Sequence, residues 1–69
     1  MEAGTKPLLT ARQMQIVRGL DHGKTHARIA DELGVSYNNV KQHLRAIERK
    51  LQVTRAREIP HAARRRGLL

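Results

Sequence analysis

Hydrogen-bonding side chains that match nucleic-acid bases lie close together between residues 41 and 45. The Lys41 ammonium and the Arg45 guanidinium are donors that suit guanine O6 and N7, and the Gln42 amide suits adenine N7 and N6. Shorter polar side chains that suit phosphate oxygens come just before them: Ser36, Asn38 and Asn39. This cluster predicts base contacts from the first three residues and DNA backbone contacts from the other three.

Metal binding and catalysis have weaker signals in this sequence. His22 and His26 have a spacing that suits two metal ligands on one helix, but Gly23 and Lys24 separate them and no third ligand is apparent. The only serine, Ser36, is better explained as a helix cap, and the sequence has no acid pair and no glycine-rich phosphate loop. We therefore expect no metal site, no cofactor, no small-molecule ligand and no enzyme activity.

Helix signals come before the cluster. Thr10 with Gln13 forms a capping-box pattern, so a first helix should begin there and close at Gly23. Gly19 inside that helix favours the close approach of a neighbouring helix. Thr25 then opens a second helix.

The third and fourth helices follow a short turn. Gly34 should end the second helix in the left-handed conformation, and Ser36 should begin the third. The third helix carries an apolar stripe at helical spacing: Val40, Leu44, Ile47 and Leu51. Thr54 offers a start for a fourth helix, but Pro60 predicts either a kink or a start only near Glu58. No segment alternates as a strand would, so we predict an all-α chain.

Residues 26–43 have the pattern of a helix-turn-helix, in which a three-residue turn containing glycine joins two short helices. Ala30 is small enough for close crossing, Val35 fills the turn, and Val40 anchors the second helix of the pair. A polar face opposite an apolar one also occurs on any solvated helix. The cationic, amide-rich character of this face, with Glu48 as the only acid on its helix, favours contact with the major groove.

The composition favours an anionic partner. The chain has 69 residues and a formal net charge of +8, which suits nucleic acid or an anionic membrane. Its apolar stretches are far too short to span a membrane, and its N-terminus lacks the apolar core of a signal peptide. The absence of cysteine excludes disulfides and thiolate metal sites. We therefore expect a soluble, intracellular protein whose small core would benefit from a second copy.

These residues resemble the C-terminal DNA-binding domain of LuxR-type regulators, a family that includes GerE and the output domains of FixJ-like response regulators. The shared pattern comprises Leu9-Thr10-x-Arg12, Gly23, Ile29-Ala30-x-x-Leu33, Val35-Ser36 and Gly67-Leu68. Its most specific part is Val-Lys-x-His-Leu-x-x-Ile-x-x-Lys-Leu-x-Val over residues 40–53, which explains His43 where an aliphatic residue is usual.

The resemblance implies a four-helix (tetrahelical) domain over residues 9–69, after a flexible arm at residues 1–8, with the third helix in the groove. It places four residues near the DNA backbone: Thr25, Ser36, Asn39 and His43. Together with Arg12, His26 and Asn38, these complete the predicted backbone contacts. The fourth helix would form the dimer contact through Ile59, Ala62 and Ala63.

The sequence also departs from the family pattern. Gln13 and Arg28 stand where Glu is common, and Asn39 stands where Thr is usual. Gln52 replaces a Gly that would end the third helix. Pro60 and the shifted run Arg55-Ala56-Arg57 alter the fourth helix, on which the mode of dimerisation depends.

The sequence therefore predicts a bacterial-type transcriptional regulator, cytoplasmic and nucleoid-associated, that binds double-stranded DNA as a weak or DNA-assisted homodimer. One alternative is a protein-interaction module that contacts RNA polymerase or another regulator. RNA binding is less favoured, because RNA readers usually stack bases on aromatic side chains and Tyr37 is the only aromatic residue of the Phe, Trp and Tyr group.

Overall fold

A computed structural model describes residues 8–69. Its helices are α1 (Ala11–Asp21), α2 (His26–Leu33), α3 (Tyr37–Leu51) and α4 (Ile59–Arg65), with a single 3-10 turn at Ala56–Glu58 before α4. No strand occurs within these residues, so the predicted all-α, four-helix class is confirmed. The predicted flexible arm, residues 1–8, lies outside the described residues except for Leu8.

Side-chain caps fix the starts of the first three helices. The Thr10 hydroxyl accepts from the Gln13 backbone N–H at 3.1 Å, while the Gln13 amide oxygen accepts from the Thr10 N–H at 3.1 Å. Thr25 and Ser36 cap α2 and α3 in the same way, at 3.1 and 2.9 Å. Each cap satisfies a backbone donor that has no partner within its helix. The three starts predicted from the sequence are therefore confirmed.

The turn between α2 and α3 depends on Gly34. This residue has φ +70° and ψ +31°, the left-handed conformation predicted for it. Its N–H donates to the Asp31 carbonyl, and the Val35 N–H donates to the Ala30 carbonyl at 3.0 Å. The turn therefore ends α2 sharply and fixes the direction in which α3 leaves it.

The connection between α3 and α4 has the second of the two structures predicted for it, in which the fourth helix begins only near Glu58. The 3-10 turn ends at Glu58 and α4 begins at Ile59, so Pro60 lies in the first turn of a new helix, where its missing N–H costs nothing. Thr54 does not start a helix, since the next elements begin at Ala56 and Ile59. Its N–H donates to the Glu58 carboxylate at 3.2 Å within the connection.

All four helices contribute to one apolar core. The predicted stripe on α3 is buried throughout, and Ile16, Val17, Ile29 and Ile59 pack with it. Gly19 allows α1 and α2 to approach closely, since a Cβ placed there would lie 2.8 Å from the Ile29 Cγ1 atom. Within residues 8–69, no helix has the length and apolar character needed to cross a membrane.

Candidate nucleic-acid interface

The polar face of α3 is open to solvent. Lys41, Gln42 and Arg45 are exposed, while Val40 and Leu44 on the other side of the helix are buried in the core. Among the residues that the structure describes, the three exposed side chains have no hydrogen-bond or ion-pair partner within the protein. Their donors and acceptors therefore remain available to a ligand.

A shallow cleft runs beside this face. Its lining includes Lys41, Arg45 and Glu48 of α3, His26 at the start of α2, and Ala56 in the 3-10 turn. His26 is half-buried there, so its imidazole lies at the border between the open face of α3 and the packed interior. The cleft brings one predicted backbone contact close to two predicted base contacts.

The other predicted backbone contacts differ in how exposed they are. Asn38 is exposed on the first turn of α3, whereas Asn39 and His43 are half-buried. The Ser36 and Thr25 hydroxyls are exposed but accept the capping hydrogen bonds of α3 and α2. Their hydroxyl protons point away from those bonds and can still donate to a phosphate oxygen.

Arg12, a predicted backbone contact, has a hydrogen-bond partner within the protein. Its guanidinium Nη1 donates a long hydrogen bond of 3.5 Å to the Leu33 carbonyl at the end of α2. The side chain is half-buried, so it connects α1 to the turn of the helix-turn-helix. The other guanidinium donors have no hydrogen-bond partner among the residues that the structure describes.

A carboxylate in the last turn of α2 pairs with two cations. Glu32 Oε1 accepts from the Lys24 ammonium at 2.6 Å, and Glu32 Oε2 accepts from the Arg28 guanidinium at 2.8 Å. The hydrogen bond from Lys24, followed by that from Arg28, holds the pKa of the Glu32 carboxyl below its usual value. Lys24 directly precedes the predicted backbone contact Thr25, and Arg28 follows His26 by two residues.

The three residues predicted to form the dimer contact lie in the core of the single chain. Ile59 and Ala63 are 0% exposed and Ala62 is 3% exposed. Their side chains are therefore not accessible to a second copy, because they close the contact of α4 with the rest of this protein. The exposed side of α4 carries His61, Arg64 and Arg65 instead, and Arg64 pairs with Asp21 of α1 at 2.6 Å.

Tyr37 was not assigned a role from the sequence, although it lies at the start of α3, close to His26 and Lys41. It begins α3, is 50% exposed and contacts both His26 and Lys41. The four-residue spacing of Tyr37 and Lys41 on one helix was the signal that could have revealed it. No group of three or more metal-ligating side chains occurs within residues 8–69.

Comparison with known proteins shows which family this chain belongs to. The family model for bacterial regulatory proteins of the luxR family (GerE) matches residues 7–63. This chain belongs to the luxR family. The resemblance inferred from the run at residues 40–53 is thereby confirmed.

The chain is similar to two named regulators and to one solved structure. The chain is 36% identical over 61 residues to the HTH-type transcriptional activator RamA of Corynebacterium glutamicum, covering 88% of this chain and 22% of RamA. It is 34% identical over 65 residues to the HTH-type transcriptional regulator AlkS of Alcanivorax borkumensis, covering 94% of this chain and 8% of AlkS.

The structural relative is the response regulator ChrA of a heme-sensing two-component system. Its crystal structure matches with a TM-score of 0.87 and 32% sequence identity, over 94% of this chain and 32% of ChrA. This chain thus spans a third or less of each of these three relatives, and its helix-turn-helix fold is shared with ChrA.

Proposed function

We propose that this luxR-family chain binds double-stranded DNA sequence-specifically, as the DNA-binding domain of a bacterial transcriptional regulator, with α3 in the major groove. The observation that carries the proposal is the exposed, unpaired state of Lys41, Gln42 and Arg45 within the described residues. A helix with such a face fits the major groove, where each base pair offers a distinct pattern of donors and acceptors.

The relatives' names support the regulatory part of the proposal. RamA is named a transcriptional activator and AlkS a transcriptional regulator, and the family as a whole is described as bacterial regulatory proteins. A domain of this kind acts at the nucleoid in the bacterial cytoplasm as a binding module rather than an enzyme.

Within this arrangement, Lys41, Gln42 and Arg45 contact base edges. The DNA backbone is contacted by the polar side chains around the starts of α2 and α3 and by Arg12. Phosphate contacts fix the position of the domain, and base contacts supply the sequence preference. The turn at Gly34 holds these two groups in a fixed relation, because it sets the angle between α2 and α3.

Two copies would bind inverted half-sites about one helical turn apart. The exposed side of α4 carries two positively charged side chains, Arg64 and Arg65. Bringing two such surfaces together in a symmetric pair places like charges opposite each other, which opposes association. We therefore expect the pair to form on DNA, where phosphates offset this repulsion.

The test is selection of binding sites from a random duplex library, followed by measurement of Kd for the selected site and for random duplex. Lys41→Ala and Arg45→Ala should each weaken binding to the selected site by about 1–3 kcal/mol and relax its sequence preference. Arg18→Ala is the matched control, because it removes the same charge from an exposed position on α1.

An inverted repeat among the selected sites would support both specific binding and pairing on DNA. Selection without enrichment, or Lys41→Ala and Arg45→Ala variants that bind like the parent, would contradict the proposal. Binding of a protein partner that survives Lys41→Ala and tolerates high salt would instead favour the interaction-module alternative, with RNA polymerase as a candidate partner.

A further inference from the structure

Tyr37 is the only Phe, Trp or Tyr residue of the chain, and it is exposed where α3 begins. Half of its surface is open to solvent, so the core does not account for its presence. Its ring has two neighbours instead. The Lys41 ammonium nitrogen lies 5.7 Å from the ring centroid, and the His26 ring centroid lies 6.4 Å away at an interplanar angle of 38°.

The contact with Lys41 follows from helix geometry. Residues four apart lie on one face, and helical side chains lean towards the N-terminus, so the Lys41 stem leans back towards the Tyr37 ring. A cation within about 6 Å of a ring centroid is attracted by the negative face of the ring. The lysine side chain, which otherwise samples many rotamers, is thereby held near the first turn of α3.

The contact with His26 restrains the ring itself. His26 is the first residue of α2 and is half-buried in the cleft beside α3. Its ring is tilted against Tyr37, an arrangement within the range of favourable aromatic pairs. The tyrosine ring is therefore restrained both by His26 of α2 and by Lys41 of α3, so that the starts of the two helices share one contact.

We propose that Tyr37 is a positioning residue that holds the Lys41 ammonium at the start of α3 and so determines which base pair Lys41 reads. This role rests on the proposed function, since it presumes that Lys41 contacts a base. A lysine free to sample its rotamers would contact several neighbouring acceptors, whereas a held lysine favours one. The Lys41 side chain is also already ordered in the free protein, so less conformational entropy is lost when it binds.

Two variants distinguish the contribution of the Tyr37 ring from that of its hydroxyl. Tyr37→Phe keeps the ring and removes only the hydroxyl, while Tyr37→Leu removes the ring and keeps an apolar side chain. For Tyr37→Leu we expect discrimination at the base pair read by Lys41 to fall about two- to five-fold, with affinity for random duplex unchanged. Tyr37→Phe should behave like the parent.

A double-mutant cycle with Lys41→Ala tests whether the effect acts through the lysine. Once Lys41 is replaced, Tyr37→Leu should change discrimination no further. NMR of the free protein gives a measurement that does not depend on DNA. The Lys41 Hε protons should show an upfield ring-current shift in the parent and in Tyr37→Phe, and that shift should vanish in Tyr37→Leu.

Three results would overturn the proposal: no ring-current shift at Lys41, a loss in Tyr37→Phe equal to that in Tyr37→Leu, or a Tyr37→Leu effect that persists in the Lys41→Ala background. A parent chain that selects no DNA site overturns the proposed function and this role together. A parent that selects a site and loses its preference at one base pair on Lys41→Ala, with no fall in that preference on Tyr37→Leu, overturns the positioning role alone.

Discussion

The Lys50 ammonium in the last turn of α3 donates a hydrogen bond of 2.8 Å to Gln13 Oε1 in the first turn of α1. The same oxygen accepts from the Thr10 backbone N–H, which closes the capping box of α1. Gln13 is only 5% exposed, so one neutral amide oxygen serves both a helix cap and a positive charge. This contact ties the end of the proposed DNA-reading helix to the start of α1.

Replacing Gln13 should therefore change the free energy of unfolding in a direction set by the new side chain. Gln13→Leu has a similar size but no acceptor, and we expect it to lower the free energy of unfolding by about 1–3 kcal/mol. Gln13→Glu keeps the acceptor and adds a charge opposite Lys50, so it should raise the free energy of unfolding by about 0.5–1 kcal/mol near neutral pH.

Thermal or urea unfolding of the three proteins measures both effects. The gain in Gln13→Glu should disappear in acid, because protonation of the new carboxyl removes its attraction for Lys50. Lys50→Met provides a further check, since it removes the charge but keeps the apolar stem. In that background Gln13→Glu should give no gain, and an undiminished gain would show that the pair is not its cause.

Gly19 should tolerate no side chain while Ile29 keeps its present position. A Cβ at residue 19 would lie 2.8 Å from Ile29 Cγ1 and 2.9 Å from Ile29 Cδ1, and Ile29 is buried in the core. We expect Gly19→Ala to lower the free energy of unfolding by about 1–3 kcal/mol, despite the higher helix propensity of alanine. In an Ile29→Ala background the same change should be neutral or stabilising, and an equal loss in both backgrounds would contradict the clash.

Gln52 ends α3 in a conformation that suits glycine better. Its φ of +59° and ψ of +45° are left-handed, and it is the only non-glycine residue with positive φ among residues 8–69. Gln52→Gly should raise the free energy of unfolding by about 1 kcal/mol, because glycine removes the steric cost of that conformation. Gly34→Ala is the reverse control and should lower it by a similar amount. A destabilised Gln52→Gly protein would mean that the glutamine side chain makes a compensating contact.

Sequence reasoning succeeded where the signals are local. The starts of α1, α2 and α3 follow from Thr10, Thr25 and Ser36, because a capping side chain bonds to a backbone only three residues away. The buried face of α3 follows from its apolar periodicity, and the glycine at position 34 indicates the turn. These features locate the open face of α3 without knowledge of the tertiary structure.

The sequence could not assign the apolar face of α4, because its burial has two possible sources. Ile59, Ala62 and Ala63 form an apolar face, and a sequence cannot say whether such a face is covered by its own chain or by a second copy. The structure shows that the chain covers it. The ion pair of Arg64 with Asp21 could not be predicted from the sequence either, because only the packing of α4 on α1 brings these two residues together.

Glu32 should limit binding to any duplex, because it pairs with two cations that phosphates would otherwise attract. Its pKa is lowered in the folded chain by hydrogen bonds from Lys24 and then from Arg28. The carboxylate is therefore charged at neutral pH, and these pairs are lost only as the pH falls through that lowered pKa. Glu32→Gln should release both cations and strengthen binding to random duplex, with a steeper dependence on salt.

Asp31→Asn is the matched control for this prediction. Asp31 is exposed next to Glu32 and forms no ion pair within residues 8–69, so its replacement removes the same charge without releasing a cation. Kd for random duplex should be measured as a function of salt for both variants. If Asp31→Asn strengthens binding as much as Glu32→Gln, net charge rather than release of Lys24 and Arg28 is responsible.

The exposed side of α4 should keep the free chain monomeric. Arg65 has no ion-pair partner within residues 8–69, and Arg64 is only partly neutralised by Asp21 at the exposed surface. Sedimentation velocity at low ionic strength should therefore give a monomer, whereas a duplex with an inverted repeat should bind two copies. A dimer that forms without DNA and weakens when salt is added would require an attractive ionic contact elsewhere, since salt screening would strengthen a pair opposed by these charges.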